Sequence, residues 1–129
     1  MSMSTNTKVN IEHKLSLFSE TWTPKIIGEL NGQQVKLAKL KGDLAWHSHE
    51  HEDELFLILE GSLLMQIKHE SGEIEDVHLS KGDMYIVERG VEHNPIAQEG
   101  ASVLLFEPAS TKHTGDLMID RTVTDQQRI

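Results

Sequence analysis

Between Pro24 and Pro108 the chain alternates short apolar runs with turn signals, at the spacing of about eight to twelve residues expected of an all-β sandwich or barrel. KIIGEL and QQVKLAKL flank Asn31-Gly32, a pair that tolerates positive φ and so predicts a tight type I′ hairpin. ELFLILEG runs to Gly61, and SLLMQIKHE follows as far as the turn at Ser71-Gly72. In that second run Leu63, Met65 and Ile67 alternate with Leu64, Gln66 and Lys68, the period of a half-buried strand. EIEDVHL, the turn SKGD, and then MYIVERG, VEHNPIAQEG and ASVLLFEP complete the series. No stretch within these limits carries a helical period.

The two ends read differently. Ile11, Leu15 and Phe18 stand at i, i+4 and i+7 behind Asn10, a good N-cap, and predict a short amphipathic helix that closes one end of the sheet or packs on a partner subunit. After Pro108, ASTKHTGD reads as loop, and LMIDRTV as a last strand before a polar tail. The organisation expected is an N-terminal extension over residues 1–23, one β-barrel domain over 24–110, and a C-terminal loop and tail over 111–129. Neither an internal repeat nor a helix-turn-helix segment accompanies it.

Composition narrows the partners. A chain of 129 residues suits one domain that buries roughly two-thirds of its unfolded surface. With no cysteine, disulfides, thiolate metal sites and cysteine nucleophiles are excluded, so any metal must be held by nitrogen and oxygen. A formal charge of -9 argues against duplex nucleic acid and anionic membrane as partners. The first ten residues, MSMSTNTKVN, are polar and lack the apolar core of an export signal, so a soluble cytoplasmic protein is expected.

The densest chemistry lies in WHSHEHEDE, Trp46 to Glu54. Successive strand residues face opposite ways, so His47 and His49 point to one side and can reach one ion, while Trp46 points to the other. A turn over EHED would reverse the chain and start the next strand at Glu54, whose side chain shares a face with Phe56 and Ile58. His93, in RGVEHNP, follows its own turn, and a neighbouring strand could bring it to the same centre. Three imidazoles and a carboxylate suit one divalent transition metal, Fe, Mn, Ni, Co or Zn, with coordination positions left for water or substrate. The competing reading of the run is a solvated acidic loop.

These residues resemble the cupin superfamily. Gly42, His47, His49, Glu54 and Gly61 stand close to its first motif, and Gly82, Gly90 and His93 match its second in part, the likeness covering about Lys36 to Pro108. Three positions depart from the pattern: Gly42 to His47 is one residue short, Glu88 stands where a proline is usual, and Ala97 replaces an asparagine. The resemblance implies a small single-domain cupin of the mannose-6-phosphate isomerase-like kind. Its fold would be a double-stranded β-helix, or jelly-roll barrel, with His47, His49, Glu54 and His93 holding the metal in its mouth. No basic cluster that would hold a phosphate lines the strands. Small cupins commonly pair into dimers, so a homodimer is expected, with Trp46 or the Ile11 to Phe18 segment supplying apolar surface.

The other polar residues receive quieter roles. His51 shares parity with His47 and His49, but the turn back to Glu54 begins there and should turn its ring to solvent. Glu50, Glu52 and Asp53 form a solvated rim, with Asp53 available to support the turn or a ligand histidine. His13, His69, His78 and His113 have no partner at ligand spacing and read as surface residues. Phe56, Ile58, Met65, Met84, Ile86 and Phe106 are candidates both for an apolar pocket and for plain core. No general base is identifiable, although Glu88 and Gln66 could face the barrel. The leading function is a metal-dependent enzyme acting on a small polar organic molecule. The alternatives are a non-catalytic binding or sensing module and a barrel stiffened by a structural metal.

Overall fold

The computed structural model describes residues 7–111 and 126–129. One helical segment, α1 (Ile11–Leu15), precedes β1 (Lys25–Leu30), β2 (Gln33–Asp43), β3 (Glu54–Lys68), β4 (Ile74–Ser80), β5 (Met84–Val87) and β6 (Glu92–Pro108). These strands pair antiparallel in the order β1-β2-β6-β3-β4, with β5 on β3, and the long strands bend so that the sheet wraps into a jelly-roll barrel. Asn31 and Gly32 have φ of 51° and 78° between the paired residues Leu30 and Gln33, which is the expected two-residue hairpin.

The strand limits differ from the sequence expectation at Gly61 and Gly100. Both were expected to end a strand; instead β3 and β6 continue through them. Their φ values of 75° and 92° let the chain bulge, and the β3–β6 register shifts between Ile58 and Glu60 and again between Gly61 and Leu64. A bulge bends a strand without ending its pairing, so each long strand serves both layers of the barrel.

Period-two patterning sorts the apolar residues onto two faces. Inward lie Ala38, Leu40, Phe56, Ile58, Leu63, Met65, Val103 and Leu105 in one buried cluster. Outward, Leu37 and Ile27 join Phe18, with Val35, Leu59 and Leu104 packed around them. This outer cluster is what α1 covers. Asn10 Oδ1 accepts the His13 N–H at 2.8 Å as the N-cap, and Ile11 and Leu15 rest on the sheet. The helix stops at Leu15, so Phe18 reaches the cluster from the following loop. Residues 127–129 return beside β1, the Ile26 N–H donating to Gln127 O at 2.8 Å and the Ile129 N–H to Ile26 O at 3.1 Å. LMIDRTV and His113 lie outside the described residues.

Trp22 departs from its surroundings. It adopts φ 56°, a left-handed conformation costing an aromatic residue about 1–2 kcal/mol, yet it is buried. Its backbone N–H donates to Lys39 O and its indole Nε1 to Lys41 O, both at 2.8 Å, which plugs the indole into the inner cluster. No helix among the described residues is long and apolar enough to cross a membrane.

Candidate metal centre

Three stretches of chain build the centre. The segment ahead of β3 runs beside the start of β6, where His47 and His93 form an antiparallel bridge, each N–H donating to the other's carbonyl at 3.0 and 2.9 Å. Two residues further, His49 faces the same way, and after the turn Glu54 opens β3 on the inner face. The four residues are 6, 3, 2 and 0% exposed for His47, His49, Glu54 and His93.

Their geometry suits a cation. Ligand atoms of His47, His49 and His93 all lie within 4.8 Å of one another. Glu54 Oε1 stands 3.4 Å from His49 Nε2 and 3.8 Å from His93 Nε2. A transition ion holds such atoms at about 2.0–2.2 Å, which puts two ligands of a tetrahedral set about 3.4 Å apart. Nδ1 of His47 donates to Ala45 O and Nδ1 of His93 to Val91 O, each at 2.9 Å. That pairing fixes the tautomer and leaves Nε2 of both rings as the lone-pair atom, the orienting bond usual behind a metal-bound imidazole. His93 Nε2 and Glu54 Oε1 are fully buried without a hydrogen-bond partner among the described residues, a costly arrangement that an ion would satisfy.

Electrostatics keep the donors ready. Burial, and then the neighbouring His93, lowers the His47 pKa to about 4, so its ring is neutral at physiological pH. Burial alone would raise the Glu54 carboxyl, but the Glu107, His49 and His93 side chains beside it outweigh burial and hold Glu54 well below its ordinary value. Glu107 moves the other way, raised by burial and by the Glu54 charge beside it. Lys36 Nζ donates to Glu107 Oε1 at 2.8 Å, with both side chains essentially inaccessible. The sequence reading missed Lys36 and Glu107. Lys36 shares a face with Ala38 and Leu40, and that parity was its signal; Glu107 shares a face with Val103 and Leu105, but Leu104 and Phe106 between them are apolar too, so its parity is not clean.

A cavity of about 370 Å³, part of it open to solvent, adjoins the centre. Trp22, Leu40, Leu44, Phe56, Val103 and Leu105 form its apolar wall, and His47 and Glu54 its polar patch. Several expected lining residues are elsewhere. Met84 and Ile86 are 56 and 49% exposed, because β5 turns Val87 inward, and Phe106 faces out beside Leu104. Met65 is buried in the inner cluster without reaching the cavity. Neither Gln66 nor Glu88 faces the histidines: Gln66 bonds Asp76 and Asn94 on the outer face, and Glu88 is exposed.

The rim follows the sequence expectation more closely. The His51 side chain is 78% exposed and Trp46 lies outward. Asp53 supports the turn by accepting the Arg89 backbone N–H at 2.8 Å. His13 and His78 are exposed, and His69 pairs with Glu75 on the surface at 2.9 Å.

A family model described as Cupin domain matches residues 34–107. The solved structure of a cupin-2 domain containing protein from Shewanella frigidimarina is 37% identical, with a TM-score of 0.72 over 78% of this chain and 93% of that one. Hydroquinone 1,2-dioxygenase from Sphingomonas sp. TTNP3, with 4-hydroxybenzoate bound, shares the fold at TM-score 0.70 and 21% identity, over 81% of this chain and 32% of that one. Among curated relatives, 3-hydroxyanthranilate 3,4-dioxygenase of Xenopus laevis is 31% identical over 111 residues, 83% of this chain. The uncharacterized protein YdbB of Bacillus subtilis is 37% identical over 67 residues, 52% of this chain. The chain spans 37% and 56% of those two relatives.

Proposed function

The chain belongs to the cupin domain family, and from that premise we propose a metal-dependent enzyme acting on a small organic molecule, its one divalent transition ion held by His47, His49, Glu54 and His93. One observation carries the reading: a buried set of nitrogen and oxygen donors, two of them without a partner, stands at the polar end of an otherwise apolar cavity. When bound, the ion would supply a Lewis acid and, as Fe or Mn, a centre able to activate oxygen. The chain's own residues do the rest. Ala45 and Val91 carbonyls orient the His47 and His93 rings, and burial keeps His47 unprotonated. The walls from Trp22, Leu40, Phe56 and Val103 are apolar and suit a weakly polar body.

Oxidative chemistry on a hydroxylated aromatic ring is the reaction this set of groups fits best. The likeness to the Xenopus dioxygenase supports it, and so does the apolar wall. The sensing alternative draws on one fact: apart from His47 and Glu54, no titratable side chain lines the cavity among the described residues to act as a general base. Outward Trp46, Met84 and Ile86 leave apolar surface in support of a homodimer.

Catechol-like diols and 2-oxo acids should perturb the visible spectrum of the Co- or Fe-loaded protein, and His93→Ala should abolish the change. Oxygen uptake with a diol would establish the enzyme. Binding without turnover across oxygen-uptake, isomerisation and decarboxylation assays would favour the sensor. No spectral change with any ligand would leave a structural metal.

A further inference from the structure

A buried row of charge crosses three adjacent strands behind Glu54. Lys36 on β2 reaches Glu107 on β6, and Glu107 lies across from Glu54 on β3, one position beyond the Leu55–Phe106 pair. The strand register sets this row: Gln34 pairs with Glu107, and Leu55 with Phe106, so all three side chains meet on the inner face. Lys36 and Glu107 are 1 and 0% exposed. Stability alone does not account for them, since a buried ion pair is often matched or bettered by apolar residues of similar volume.

We infer that Glu107, anchored by Lys36, is a positioning residue for Glu54, holding one side of its carboxyl so that Oε1 faces the histidines. Oε1 is the atom that stands 3.4 Å from His49 Nε2 and 3.8 Å from His93 Nε2. Released from Glu107, the Glu54 carboxyl would be free to rotate or to turn both oxygens toward the centre. The row thus does for a carboxylate what the Ala45 and Val91 carbonyls do for two imidazoles. Sequence position hides it, because Lys36 lies ahead of the histidine run and Glu107 far behind it.

The inference rests on the metal reading for one of its two readouts only. The test compares wild type, Glu107→Gln and the double variant Lys36→Met/Glu107→Leu, which replaces the pair by apolar groups and so preserves the packing. Co(II) affinity should fall about 10- to 100-fold in the double variant, the usual effect of losing a residue that orients a ligand. Its Co(II) absorption band should also shift, which a merely structural role would not produce. Glu107→Gln, whose amide can still donate to Glu54, should retain most of the affinity and the wild-type band. In metal-free crystals of the double variant, Glu54 Oε1 should leave its place beside His49. Wild-type affinity and spectrum in the double variant, or an unmoved Glu54, would overturn the inference. If wild type itself takes up no Co(II), the metal reading fails, and the position of Glu54 in the metal-free crystals alone decides.

Discussion

His47 shows how burial sets the chemistry of a single residue. A histidine ordinarily titrates near 6.5, and this one near 4, because charging it inside the barrel costs solvation and sets it against His93. Between those values the unfolded chain holds a proton at this position that the folded chain lacks, so acidification favours unfolding. The contribution is complete above pH 6.5 and lost as pH falls to about 4, on the order of 3 kcal/mol for the metal-free protein. Urea unfolding of metal-free wild type across this window should show that slope, and His47→Gln should flatten it; equal slopes would refute the assignment. At this scale the sequence was informative where parity is clean. His47, His49 and Glu54 alternate with polar or exposed neighbours, and the inward face follows. Parity failed in Val103 to Glu107, because Val103, Leu104, Leu105 and Phe106 are all apolar and both faces are covered. There the charge of Glu107 pointed the wrong way: taken as a solvent residue, it puts Phe106 inside and hides the row to Lys36.

Elements are shaped by glycines that bend strands without ending them. A Cβ added at Gly61 would lie 2.2 Å from the Gly100 carbonyl oxygen, and φ there is 75°. Both strands meet back to back at this corner, so neither can yield without losing its pairing. Gly61→Ala should therefore cost more than about 2 kcal/mol in urea unfolding, strain and clash together. Gly72, at φ 89° in a surface turn with open space around it, supplies the control: Gly72→Ala should cost about 1 kcal/mol from strain alone. Comparable losses at the two sites would mean that the corner is looser than its geometry implies. The sequence marks each glycine as a turn, but a turn and a bulge have the same local signal. Whether the chain reverses or bends depends on the strand lying opposite, a long-range pairing that no local pattern carries. For the same reason β5 was given the wrong inner face, being four residues long with apolar side chains on both sides.

At the scale of the whole molecule, one continuous sheet makes two surfaces with different duties. Part of its outer face is covered by α1, Phe18 and Ile129, and its inner face encloses the centre and the cavity. Residues far apart in sequence cooperate in that cavity: Trp22, ahead of the first strand, and Leu105, near the end of the last, line the same wall. If the buried donors converge on one ion, elemental analysis of untagged protein, reconstituted in turn with Fe, Mn, Ni, Co and Zn, will read it as a stoichiometry. Wild type and His51→Ala should hold about one metal per chain, Glu54→Gln should take it up much more weakly, and His49→Ala and His93→Ala should lose most of it. No uptake of any of the five metals by wild type, or retention in His93→Ala with loss in His51→Ala, would contradict that convergence.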